Sequence, residues 1–138
     1  QDIGENDDIF IPAGQGKTAF IDVRDIAAVA AKTLTEPGHT GKAYPLTGGE
    51  ALDYGDVAKL LTAALNRPIG YSQPHFLRFA WRLWRRGFPL SYVSVVTAIY
   101  LTTRFGLAET VTPDTAVLLN RPPITMQQFI NDYAPVWQ

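Results

Sequence analysis

Thr18-Ala19-Phe20-Ile21-Asp22-Val23-Arg24-Asp25-Ile26-Ala27-Ala28-Val29-Ala30-Ala31 runs an apolar segment straight into an acid-capped, alanine-rich helix, with no loop between them. Ala19-Phe20-Ile21 has the composition of a strand. Asp22 can accept hydrogen bonds from the free amides of the first helical turn, and Asp25 adds negative charge near the positive end of the helix dipole. Both are therefore expected to be structural helix caps rather than an acid–base couple. Ile26, Ala27, Ala30, Ala31 and Leu34 follow helical spacing, and Pro37-Gly38 stops the helix. Alanine leaves little side-chain bulk, so this stripe is expected to lie close against a sheet.

The same order repeats downstream. Lys42-Ala43-Tyr44-Pro45-Leu46 reads as a second strand, ending in Thr47-Gly48-Gly49. Asp53 is the expected cap of the next helix, with Asp56 in its first turn. Val57, Leu60, Leu61, Ala64 and Leu65 form its buried stripe, and Asn66-Arg67-Pro68 ends it. Ile69-Gly70-Tyr71 is a short third strand. Upstream, the acidic opening through Asp8 is expected to be poorly ordered. Ile9-Phe10-Ile11 is a short apolar run stopped by Pro12 and the Gly14-Gln15-Gly16 turn. Strand, helix, strand, helix, strand is the pattern of parallel α/β units.

The character changes near residue 73. Helical patterns run from Pro74 to Arg86 and from Pro89 to Arg104, with Gly87 and Gly106 as stops. Thr112-Pro113-Asp114 starts another helix, and Thr125-Met126-Gln127-Gln128 is a capping box in which Thr125 is the cap. At 138 residues the chain suits one domain, residues 1–138, with an α/β part over 1–73 and a helical part over 74–138.

Composition narrows the chemistry. The chain is 46% hydrophobic and 18% charged, as globular proteins are, and contains no cysteine, which excludes disulfides and thiolate metal sites. A reducing cytosol is the expected setting, with no leader or spanning segment read in the sequence. The net charge of −1 hides an asymmetry: residues 1–66 carry ten acids and five bases, residues 67–138 seven bases and three acids. With a pI of about 6.1, nucleic acid is not expected as a partner.

No motif assigns a catalytic or metal-binding residue. Gly14-Gln15-Gly16-Lys17-Thr18 is like the tail of a P-loop, but Ile11 stands where its first glycine belongs, and a strand rather than a helix follows. Thr47-Gly48-Gly49-Glu50 sits where α/β folds often hold phosphate, yet it lacks the G-x-G-x-x-G spacing, so a tight turn is expected. His39 and His75 stand far apart with no carboxylate at ligand spacing, and no serine lies in a nucleophile elbow. Phe76-Leu77-Arg78-Phe79-Ala80-Trp81-Arg82-Leu83-Trp84-Arg85-Arg86 is the most unusual segment. Interleaved aromatics and arginines could suit a membrane surface or stacking on a planar ligand. A plainer account is a lid helix that buries Phe76, Phe79, Ala80 and Leu83 while its arginines reach water. Together with the following helix it is expected to contribute an apolar aromatic substrate pocket, with Phe76, Trp81, Phe88, Tyr92 and Tyr100 as candidates.

The succession Phe20-Ile21-Asp22-Val23-Arg24-Asp25-Ile26-Ala27, Gly41 to Gly48, Asp56-Val57-Ala58 and Pro68-Ile69-Gly70-Tyr71 resembles the C-terminal part of atypical and extended short-chain dehydrogenase/reductases. The NmrA-like group, with its NAD(P)H:quinone-reductase-like and azoreductase-like members, is the nearest match. The ending, Arg121 to Thr125 through Phe129 and Tyr133-Ala134, is similar to that group as well. The resemblance implies a Rossmann-like α/β fold of short parallel strands, helices and a helical cap, with the N-terminal Rossmann half absent. Ala19–Ile21 and Ile69–Tyr71 would pair in a small parallel sheet beneath the substrate pocket, and Tyr44–Leu46 would edge the larger sheet.

Family members carry their glycine-rich cofactor turn, and commonly a tyrosine–lysine pair, in the half not represented here. Tyr54 and Lys59 are five apart rather than the four that this pair requires. The resemblance therefore implies the substrate-binding half of an NAD(P)-dependent oxidoreductase, unable to hold cofactor or catalyse by itself. Its expected partners are the missing Rossmann half or a second copy, and in the parent a small molecule; a membrane is not expected. A non-catalytic NmrA-like redox sensor and a binding module built on the Trp/Arg helix stand as alternatives.

Overall fold

The computed structural model describes residues 2–137. Among them the order is α1 (Asp2–Asn6), β1 (Asp8–Phe10), α2 (Val23–Thr35), α3 (Tyr54–Leu65), β2 (Gly70–Ser72), α4 (Phe76–Arg85), α5 (Leu90–Arg104), α6 (Asp114–Leu119) and α7 (Met126–Tyr133), followed by a 3₁₀ turn over Ala134–Val136. β1 and β2 form a two-stranded parallel sheet with Ile9 opposite Tyr71. The result is a small α/β unit with a short parallel sheet surrounded by helices.

Helix starts follow the acids and the threonine. Asp22 caps α2 and accepts from the Arg24 amide at 2.7 Å; Asp53 caps α3 through the Asp56 amide at 2.8 Å. Thr125 caps α7 through the Gln128 amide at 3.1 Å. α3 and α6 both end on an asparagine in the left-handed region, Asn66 and Asn120, each at φ 52°. A short asparagine side chain tolerates that conformation where most residues would clash.

The core lies between the sheet, α3 and α7, where Ile9, Ala58, Leu61, Ile69 and Ile130 are buried together. Arg67 braces it from the edge, pairing with Asp7 at 3.1 Å and donating to the carbonyls of Ile3 and Trp137. The opening segment, expected to lack order, is thus a helical turn tied down by that arginine.

Three expectations about strands and faces need correction. Ile69–Tyr71 does not pair with Ala19–Ile21; residues 70–72 pair with Asp8–Phe10, while Thr18 forms an antiparallel bridge with Leu52 and the Ala19 amide donates to the Ala108 carbonyl at 2.9 Å. Lys42–Leu46 forms no strand in the described residues; its Pro45 carbonyl accepts from Thr112 Oγ1 rather than from a neighbouring strand, and just beyond it Thr115 Oγ1 donates to Thr47 O at 2.8 Å. The α2 stripe of Ile26, Ala27, Ala30, Ala31 and Leu34 rests on no sheet; it is exposed, with Leu34 86% accessible. α2 instead turns Asp25 and Val29 inward and packs on α6.

Candidate functional site

The extended segment Phe20–Asp22 and the strap Pro122–Met126 face each other across an apolar cleft. One compartment, of about 160 Å³, is lined by Phe20, Ile21, Asp22, Ile124, Met126 and Phe129. An adjoining compartment of about 300 Å³ shares Phe20 and Ile124 through Met126 and adds Gly49, Glu50, Leu52 and Pro122-Pro123. Phe20 and the strap thus serve both.

The strap wall is fixed by buried charge. The Asp25 carboxylate, fully buried, accepts from the Ile124 amide at 2.7 Å and from Arg121 Nη2 at 2.6 Å. Asp25 therefore does not cap its own helix, as the sequence suggested. It satisfies the backbone of a strap 99 positions away, because the first turn of α2 points that carboxylate inward. Asp22 keeps the cap and is clamped by the Arg24 guanidinium at 2.7 Å, which also bridges to Asp132 at 2.7 Å on α7. That hydrogen bonding holds the Asp22 carboxyl below the usual carboxylate range, against the opposing pull of burial.

The other wall is set by close backbone approach. A Cβ on Gly48 would fall 1.8 Å from the Phe20 carbonyl oxygen, so glycine is required there. Thr47 locks this approach: its amide donates to Thr115 Oγ1 at 3.2 Å, and its hydroxyl accepts from the Thr112 amide at 2.9 Å. The sequence marked Thr47-Gly48-Gly49 only as a tight turn, and no local signal announced its threonine partners some 65 positions away.

Phe20 continues into an aromatic cluster, meeting Tyr54 edge-on at 5.5 Å, with Tyr54 beside Tyr71 and Tyr100. Burial pushes the Tyr71 hydroxyl up to about 12, and those of Tyr54 and Tyr100 upward as well. These phenols stay protonated and pack. Lys59 pairs with Asp56 at 2.9 Å.

A second, polar cleft of about 520 Å³ lies between the Gly14–Lys17 turn and Arg104 to Glu109. Gly16 presses on the Thr103 carbonyl, where a Cβ would sit at 2.1 Å. That contact makes the turn a packing feature rather than a phosphate cradle opening a helix.

The five aromatic pocket candidates do not gather into one pocket, although two of them, Phe88 and Tyr92, meet. Tyr100 packs inward against Phe79 and Tyr54, Phe88 stacks on Tyr92 at 4.9 Å, and Phe76 lies over His75. Trp81 is 55% exposed. None of the five lines a cleft described here. Among the described residues no cluster of acids and histidines could hold a metal ion, and no helix is long and apolar enough to cross a membrane.

No family model matches the chain. It is 34% identical over 134 residues to an NAD(P)H azoreductase of Xenophilus azovorans, covering 97% of this chain and 47% of that protein. It is 33% identical over 135 residues to agroclavine dehydrogenase of Claviceps fusiformis, covering 98% and 47%. In three dimensions it superposes on an NADPH-dependent quinone oxidoreductase of Escherichia coli, described as complexed with NADPH, with a TM-score of 0.87 and 25% identity over 95% of this chain and 46% of that one. The chain is therefore related to part of the Rossmann-type NAD(P)H-dependent oxidoreductases and spans about half the length of the curated relatives it matches. These matches overturn the expectation of a substrate half indifferent to cofactor. Nearly the whole chain corresponds to a region of an enzyme solved with its dinucleotide in place.

Proposed function

We propose that this chain is a dinucleotide-engaging portion of an NAD(P)H-dependent reductase of the NmrA-like short-chain dehydrogenase/reductase type. The observation that carries this proposal is the superposition of 95% of the chain on the NADPH complex of a quinone oxidoreductase. The cleft supports it. Phe20, Ile124, Met126 and Phe129 make an apolar wall of the kind a nicotinamide ring can lie against. The Thr125 hydroxyl accepts from the Gln128 amide, which leaves its proton free to donate to a carboxamide oxygen.

When bound, NAD(P)H supplies a hydride. The chain's own contribution is to hold that ring edge and keep water away, with Asp25 and Arg121 fixing the strap and Gly48 setting the depth of the opposite wall. The exposed small-residue stripe of α2 is where the remainder of a larger protein packs, since alanines permit close approach of a sheet.

Titration of the chain with NADPH, followed by calorimetry and by thermal melting, tests the proposal. Saturable heat is expected, with a rise in Tm corresponding to about 2.7 kcal/mol at a hundredfold excess over Kd. Phe20→Ala and Met126→Ala should each weaken binding roughly tenfold. A folded chain that gives neither heat nor a Tm shift with NADPH overturns it.

A further inference from the structure

We propose that the outer face of the α4–α5 hairpin docks onto an anionic lipid bilayer. Leu77, Trp81, Trp84 and Phe88 fall at i, i+4, i+7 and i+11, on one side of α4 and its C-terminal turn, and are 63%, 55%, 56% and 39% exposed. Phe79 takes the other side and is buried, so this stripe is a second apolar face that stays largely exposed. It forms no wall of the clefts above. α5 adds exposed Tyr92, with Phe88 stacked upon it.

Charge selects the occupant. From residue 76 to residue 104, the span of the hairpin, the sequence holds five arginines and no aspartate or glutamate. Arg85 is exposed beside the stripe and stacks over the Trp81 ring at 4.9 Å, and Arg78, also exposed, flanks it with its guanidinium 5.8 Å from the Phe10 ring centre. A second copy docking through the same face would set these cations against one another. The α2 face is the contrast: it is made of alanines and aliphatics suited to close packing on a sheet, whereas this one carries two indoles edged by guanidinium groups. Indoles settle at the level of lipid headgroups, and arginines beside them find phosphates there. This surface is independent of the cofactor cleft, and neither proposal depends on the other.

Co-sedimentation of the whole chain with phosphatidylserine/phosphatidylcholine vesicles tests it. Tryptophan emission provides a second readout in a Trp137→Phe background, which leaves Trp81 and Trp84 as reporters. Binding and a blue shift are expected with anionic vesicles and not with phosphatidylcholine alone. Arg78→Glu/Arg85→Glu should reduce binding at least about tenfold, and Trp81→Ala/Trp84→Ala should abolish it, with circular dichroism unchanged. If the charge-reversal variant fails to fold, loss of native-chain binding in high salt supplies the same test. The proposal is overturned by no binding of the folded chain, by equal binding to neutral vesicles, by salt-insensitive binding, or by a dimer in solution that Trp81→Ala dissociates.

Discussion

Asp22 and Asp25 occupy one turn of helix and serve different partners. Asp25→Asn would replace one acceptor with a donor facing either the Ile124 amide or Arg121. The loss is expected to be about 2–3 kcal/mol, because a buried group is left unpaired while the half-exposed Arg121 regains water. Chemical denaturation measures it as a lower midpoint. Asp22 contributes to acid stability: its folded pKa is depressed, so its contribution is full above the ordinary carboxylate pKa and is lost as pH falls through the lowered value. Asp22→Asn should flatten that acid limb of the stability profile, read by thermal melts from pH 6 down to about pH 2. Gly48→Ala meets the Phe20 carbonyl and is expected to cost about 2 kcal/mol or more, with the cleft deformed. Asp22 is held by its neighbour Arg24, whereas the partners of Asp25 and Gly48 are distant in sequence, so the sequence showed that the acids sit at a helix start but not which of them reaches elsewhere.

Helices were legible because their signals are local. The caps at Asp22, Asp53 and Thr125 and the stops at Gly87 and Gly106 bound elements close to those observed. Strand pairing was not: the strand read at Ile69–Tyr71 is found at Gly70–Ser72, but a three-residue strand declares its period and not its neighbour. Ile9-Phe10-Ile11 looked like a run cut short by Pro12, yet it supplies the partner of residues 70–72. The alanine face of α2 illustrates the same limit: periodicity finds a stripe without saying what lies opposite. At this scale the left-handed terminators give a clear test. Asn120→Ala should destabilise by about 1–2 kcal/mol, whereas Asn120→Gly should be near neutral, as thermal unfolding will show.

Across the whole molecule, segments distant in sequence meet through single side chains. Arg67 joins Asp7, the Ile3 carbonyl and the Trp137 carbonyl, so Arg67→Ala should loosen α1 and the turn after α7 together. Limited proteolysis should then nick both segments at matching rates, while α4 and α5 keep their present resistance. The cleft was hidden from sequence for the same reason. Phe20 lay in the quoted run and Thr125 in a capping box, but nothing local said that the two would face one another. The aromatic helix drew attention by composition, and it proved to lie away from the cleft.

Thr115 is fully buried and bonds both the carbonyl and the amide of Thr47, standing in for the neighbouring strand that this segment lacks. A side chain that imitates a strand leaves a kinetic signature. The Thr47 proton should swap for deuterium as slowly as those of the helices, although no regular element contains it. Thr115→Val, nearly identical in shape, should release it into rapid exchange while the protons inside α3 stay slow.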